Sequence, residues 1–247
     1  MILPTMNDDE KTYEAFRMTT WLCDCMDEWK PKVIERFRKG TKFPYFQRGK
    51  VTDDKGNEWI CLFYILTKSQ KKKGVFYTVA YTVYDIPRKY KENDANCGKG
   101  VLMLDPYAMQ RKIDGVGIQN AVVTDIVPHA FNRYTQRYLK PIGKENIEFG
   151  YKVESMLKRW QWFDISADIF GDKNAEKHME GNICPYDVIM RGGGMLRGQI
   201  VNSMLLRFTT YVSEEMMFDN QVERHDEMVK EYMRFKRKGL ITDLGCD

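Results

Sequence analysis

The sequence predicts an α+β fold, an antiparallel sheet with helices packed on it and long N-terminal and C-terminal helices, and three observations predict it. Lys11 to Arg38 carries apolar residues at helical spacing. Lys42 to Asp85 changes to runs rich in β-branched and aromatic residues, bounded by Gly, Asp, Asn and Lys. Residues 125–238 then mix helix-periodic segments with a closely joined pair of strand-like runs. At 247 residues the chain is long enough for a real core. It divides into a helical and β-meander region over 1–120 and an α+β region over 121–247, or forms one continuous domain.

In order along the chain, Tyr13, Phe16, Trp21, Leu22, Met26 and Trp29 mark a helix, which Pro31 ends or restarts before Val33, Ile34 and Phe37. Strand runs follow at Phe43 to Phe46, Glu58 to Thr67 and Val75 to Tyr84. Asp53 to Asn57 and Ser69 to Gly74 read as the hairpin turns of a three-stranded meander. Ile86 to Gly100 is polar and reads as a loop, Gly100 to Asp105 as a short strand, and Tyr107 to Asp114 as a further strand or turn. Val127 to Leu139 reads as a short amphipathic helix, with Pro128 in its first turn and Asp125 or Thr124 as the upstream cap. After a break at Pro141 to Gly143, Ile147, Val153, Met156, Leu157 and Trp160 give a longer helix over 146–163. Asp164, Asp168, Asp172, Glu176, His178 and Glu180 fall in a stretch too polar for core, and their loose spacing does not make a metal site.

Met195 to Val201 and Leu205 to Ser213, joined at Asn202-Ser203, form an antiparallel hairpin. Strict alternation puts Leu206, Phe208, Thr210 and Val212 on one face of its second strand, and Arg207, Thr209 and Tyr211 on the other. Gly192, Gly193 and Gly194 lack the flanking pattern of a phosphate loop and read as backbone freedom ahead of the hairpin. Ser213 is the expected N-cap of a final helix reaching Lys238, with Arg224 and His225 facing solvent.

Composition narrows function more than it assigns it. Charged residues make 30% and the hydrophobic set 43%, which excludes a disordered chain. No apolar run of about 18 residues occurs, and the acidic, polar start does not read as a secretory leader. A cytoplasmic protein with no membrane association is the expectation. Six cysteines lie without Cys-x-x-Cys spacing and read as reduced structural thiols. The net charge of +4 does not announce a nucleic-acid binder, so distribution matters more than the sum. Lys68, Lys71, Lys72 and Lys73 crowd one turn, and Arg234, Lys236, Arg237 and Lys238 crowd the last helix, either as solvated tips or as parts of a polyanion path.

The most informative pattern is His129, Arg133 and Arg137, which recur every four positions and so spread over about 80° of one helix face. Ala130, Phe131, Tyr134 and Tyr138 form the opposing apolar stripe. Brought beside Arg207, Thr209 and Tyr211, this helix would make a metal-independent phosphodiester site. His129 suits the base because imidazole titrates near neutrality. Arg133 and Arg137 suit charge stabilisation, Arg207 and Thr209 phosphate binding, and Tyr211 the acid or a stacking platform.

His-x-x-x-Arg-x-x-x-Arg on a helix, followed by a Gly-containing strand and a strand with Arg-Phe-Thr-Thr-Tyr-Val, resembles the toxin-like proteins of the barnase, EndoU and colicin-ribonuclease superfamily over residues 125–215. The segment between helix and hairpin is longer here than in those compact domains, and 1–120 has no counterpart. The resemblance implies helices on an antiparallel sheet and RNA cleavage without a metal or cofactor, by a toxin or effector that a protein inhibitor would restrain. The alternative is a non-catalytic nucleic-acid-binding or assembly protein using the same basic face. In a third reading the three residues only pair with neighbours such as Glu145 or Glu148.

Overall fold

A computed structural model of the chain describes residues 5–39, 42–87, 97–116, 122–160, 184–202 and 204–237. Helix α1 (Asp8–Lys39) runs through Pro31 as one element, so the expected interruption does not occur. Proline removes one backbone hydrogen bond there, while Val33 and Phe37 beyond it remain on the buried stripe begun by Ala15, Met18, Leu22 and Met26. Strands β1 (Tyr45–Thr52), β2 (Glu58–Ile65) and β3 (Tyr77–Ile86) form the predicted antiparallel meander.

Between β2 and β3 the chain folds into helix α2 (Lys68–Lys73) instead of a simple turn. Thr67 and Gln70 form a reciprocal capping box, and Gly74 ends the helix at φ 68°. Strand β4 (Gly98–Leu104) is followed by helix α3 (Pro106–Ile113), where a strand or turn was expected. Asp105 accepts hydrogen bonds from the N–H groups of Tyr107 at 3.0 Å and Ala108 at 3.2 Å, and Pro106 fits the first helical position.

Strand β5 (Val123–Ile126) leads into helix α4 (Pro128–Tyr134), which passes into a π-helical turn (Thr135–Leu139). Helix α5 (Phe149–Arg159) follows, then strands β6 (Cys184–Ile189), β7 (Met195–Asn202) and β8 (Leu205–Val212) and helix α6 (Asp219–Arg237). The acidic residues singled out between Asp164 and Glu180, with His178, lie outside the described residues.

The eight strands make one sheet in the order β1-β2-β3-β4-β5-β8-β7-β6, antiparallel throughout except where β5 meets β8. Both halves of the chain therefore share a single sheet. One face carries Trp59, Cys61, Phe63, Leu102 and Leu104 against α1 and α3. The other carries Leu62, Tyr64, Tyr81, Val101 and Phe208 against α4 and α5. Because helices cover both faces, the central strands are apolar on consecutive residues and lack polar alternation.

The final helix departs from expectation at its start and on its flank. Ser213 makes no side-chain cap and leads into a 3₁₀ turn (Glu214–Met216), and α6 begins at Asp219. Arg224 is not turned to solvent: its Nε lies 2.8 Å from Oδ2 of Asp187, a carboxylate with no exposed side-chain surface. His225, also expected outside, has a side chain only 15% exposed. Met228 packs with Ile189 and Met195 and fixes α6 to the β6 side. Arg234 and Arg237 at the basic end are exposed. Cys23, Cys25, Cys61 and Cys97 are free thiols, and no described helix is long and apolar enough to cross a membrane.

The β7–β8 hairpin contains the feature that rearranges the expected site. Its register pairs Arg197 with Thr210 but Gly198 with Phe208, so Thr209 is an extra residue in a β-bulge. A Cβ on Gly198 would stand 2.3 Å from the Arg207 carbonyl oxygen and 2.8 Å from Phe208 Cδ1. Gly198→Ala is expected to cost about 1–3 kcal/mol by forcing the two strands apart. Urea denaturation measures it, and a loss under about 0.5 kcal/mol would mean that the bulge accommodates the methyl group.

Candidate phosphate-binding site

The bulge divides the predicted constellation between the two faces of the sheet. Before it, Leu206 and Phe208 face α4 while Arg207 faces α1. After it the phase changes by one, and Tyr211 joins Leu206 and Phe208 in the core beneath α4. The expected row of Arg207, Thr209 and Tyr211 on one face does not form. Thr209 is exposed, with its hydroxyl donating to the Arg197 carbonyl at 3.3 Å.

Arg207 is held by acids on the α1 side instead of being presented to a ligand. Its Nε donates to Asp125 Oδ2 at 3.2 Å, and its other nitrogens meet the Asp8 carboxylate. Asp125 has no exposed side-chain surface and also accepts from Lys11 Nζ at 2.8 Å and from the Tyr84 hydroxyl at 2.6 Å. Asp125 is thus the hub of a buried network and not the cap of α4, which begins at Pro128 after Val127 with no side-chain cap.

On the opposite face the structure gathers His129, Arg133 and Arg137 along one ridge. The α4 N-terminus is fixed to β8: Val127 N–H donates to the Phe208 carbonyl at 3.1 Å, and Ala130, Phe131 and Tyr134 bury the predicted stripe. His129 and Arg133 are half-buried beside it, and Arg133 Nε donates to His129 Nε2 at 3.3 Å. Arg133 Nη1 also donates to Gln136 Oε1 at 3.3 Å.

The π turn sets the position of Arg137. Lys140 N–H donates to the Thr135 carbonyl at 2.8 Å, a five-residue span that widens the helix and changes the angular step between Arg133 and Arg137. Arg137 Nη1 then donates to the Tyr211 backbone carbonyl at 2.6 Å. Its Nε is buried without a hydrogen-bond partner. Burial, followed by the charge of Arg133, pushes the Arg137 pKa down from its usual value. The positive charge is therefore held where it is poorly compensated.

Arg159, the last residue of α5, which the sequence pattern did not single out, shares Tyr211 with Arg137: one meets its hydroxyl and the other its backbone carbonyl. Arg159 is 6% exposed. Its Nε donates to the Arg191 carbonyl at 2.8 Å, Nη2 donates to the Gly193 carbonyl, and Nη1 contacts the Tyr211 hydroxyl at 3.3 Å. The guanidinium carbon sits 3.5 Å from the Tyr138 ring centroid, with the Tyr211 and Tyr134 rings at 5.6 and 5.7 Å. Gly194, at φ 85°, lets the turn close over this group: a Cβ there would lie 2.4 Å from the Tyr211 hydroxyl oxygen.

Tyr211 thus has a different part from the expected acid. Its hydroxyl donates to the Gly193 carbonyl at 3.3 Å and adjoins Arg159, so the phenol ties the glycine turn to α5. Nor do the ridge arginines pair with the carboxylates once expected to neutralise them. Among the described residues, Arg133, Arg137 and Arg159 form no ion pair, whereas Arg17, Arg48, Arg197, Arg207 and Arg224 each meet an Asp or Glu. Among the described residues, Arg133 and Arg137 along the His129 ridge are guanidiniums without a carboxylate partner, a donor set of the kind that suits phosphate oxygens. Comparison of the chain with protein-family models, with curated proteins and with solved structures finds no match in any of the three.

Proposed function

We propose that this chain binds RNA through the ridge formed by His129, Arg133 and Arg137, with Arg159 as a buried cation that shares Tyr211 with Arg137. The observation that carries this reading is that, among the described residues, Arg133, Arg137 and Arg159 meet no carboxylate, whereas the buried Lys11 and the half-buried Arg207 do. Phosphate contacts need this kind of surface, because counterion release and arginine geometry supply most of the affinity. The electrostatic term alone does not tell RNA from DNA, so both belong in the test.

Fluorescence anisotropy of a labelled single-stranded RNA pool, titrated at several salt concentrations, measures the proposed interaction. Arg133→Ala with Arg137→Ala is expected to weaken binding at least about tenfold and to reduce the salt slope by roughly 1.4, two single-strand phosphate contacts. Binding without salt dependence, or an unchanged double variant, would sink the proposal. A matching DNA pool bound equally well would widen the ligand class without moving the site.

A second reading, RNA cleavage with His129 as base, is favoured by the contact of His129 Nε2 with Arg133, which would set a proton acceptor beside a bound phosphate. It stands second because the phenol expected as acid is engaged with Gly193 and Arg159. Incubating the pool in excess EDTA separates the two. Cleavage that His129→Ala abolishes while anisotropy persists would make the ridge a metal-independent ribonuclease site, and intact RNA leaves binding as the activity.

A further inference from the structure

A separate groove opens on the same face of the sheet, at the far end of α5. Its volume is about 450 Å³, within the range of small-molecule sites. Ile60, Tyr81 and Val83 of the sheet and Phe149 of α5 supply its apolar part. Tyr81 is only 1% exposed, yet its hydroxyl has no hydrogen-bond partner among the described residues. Its hydroxyl, at the wall of the groove, is therefore left for a group that enters from solvent. Burial pushes this phenol up to about 12, so it remains a proton donor at neutral pH.

The other donors converge on the same point. The position a Cβ would take on Gly150 lies 3.5 Å from the Tyr81 hydroxyl and 3.7 Å from Arg48 Nη1. Arg48 spends Nε and Nη2 on Glu154 Oε1, which directs Nη1 toward the groove. Lys99 lines the wall and makes no ion pair among the described residues. Helix α5 begins here without a side-chain cap, so its first N–H groups, at the positive end of the helix, have no partner within it. Two carboxylates also line the groove, and both are exposed. Glu58 is paired with Lys50, and Glu148 Oε1 lies 3.8 Å from the same Gly150 point.

We infer that this groove binds a small molecule carrying a carboxylate or phosphate group beside an apolar body, the oxyanion meeting Tyr81, Arg48 and the α5 N-terminus. Gly150 leaves room for the oxyanion at the helix start, and Phe149, Ile60 and Val83 receive the body. The inference is independent of the RNA reading, since it uses none of the ridge residues.

Calorimetric titration of the full chain with phenyl phosphate and with benzoate tests it, in the Arg133→Ala and Arg137→Ala background so that the ridge does not compete. Saturable one-to-one binding of at least one probe is expected, and the better probe identifies the oxyanion. Tyr81→Phe removes a hydroxyl that bonds to nothing in the protein, so the fold should persist while affinity falls about tenfold. Lys99→Ala, at an exposed position, should weaken binding as well and serves if the first variant misfolds. Neither probe saturating, or both variants binding as tightly as the parent, would overturn the inference.

Discussion

Asp125→Ala lowers the stability of the folded chain by about 3–5 kcal/mol, the range for removing one partner of a buried, hydrogen-bonded charge pair. The size follows from what the carboxylate leaves behind. Lys11 and Arg207 both donate to its Oδ2, and the Tyr84 hydroxyl donates to Oδ1. Asp8 remains on Arg207, but Lys11 has a side chain 11% exposed and no second carboxylate among the described residues. Burial, followed by the charge of Asp125, holds the Tyr84 phenol well above its ordinary range, so in the parent chain it stays a neutral donor to this carboxylate. Urea unfolding gives the measurement, with Lys11→Met as its companion. If the double variant recovers less than about 0.5 kcal/mol relative to Asp125→Ala alone, the stranded ammonium is not the source of the cost.

Arg159→Met is expected to cost about 3 kcal/mol, and to weaken the proposed RNA binding, although Met conserves much of the volume. The guanidinium is worth more than its packing here because it donates to the Arg191 and Gly193 carbonyls, of which Gly193 keeps only the longer bond from the Tyr211 hydroxyl without it, and because it rests on the half-buried Tyr138 ring. Without it the Gly192 to Gly194 turn keeps only the backbone bond from Arg191 N–H to the Arg159 carbonyl as its tie to α5, and Tyr211, whose carbonyl holds Arg137, loses the contact at its hydroxyl. Tyr211→Phe, which removes only the hydroxyl, should cost about 1 kcal/mol. Denaturant unfolding of both variants checks the pair. An Arg159→Met loss below about 1 kcal/mol would mean that the tyrosines hold the turn without the cation.

The parts of this molecule legible in the sequence are those governed by a single local period. The meander, the α4 stripe of Ala130, Phe131 and Tyr134, and the β7–β8 hairpin all follow from periodicity and turn chemistry. The helices α2 and α3 were also written locally, in Thr67 with Gln70 and in Asp105 with Pro106, but their lysines and short length resemble a turn. The site was legible only in its first half. His129, Arg133 and Arg137 do share a ridge, whereas Thr209 as a bulge residue reverses the facing of Tyr211 relative to Arg207. One extra residue in a strand leaves no periodic trace when Arg, Thr and Tyr suit either face. Gly198 was the available signal, since a glycine inside a strand marks a bulge or a close backbone approach. Arg159 was hidden because nothing in a helix-terminal arginine announces that three tyrosines from other segments will enclose it.

The parallel contact between β5 and β8 also sets a timetable for the newborn chain. Asp125 and Arg207 are 82 positions apart, and β5 can complete its second side only when β8 has been made. At a ribosomal rate of about 5–20 residues per second, between about 4 and 16 s separate the synthesis of the two strands. For that interval β5 is an open border of the growing sheet, with its acid already able to reach Lys11 and Tyr84 but not its last cation. With Asp8 and Asp125 facing Lys11 alone, the unfinished margin is net negative until Arg207 arrives, which discourages pairing with strands of other chains.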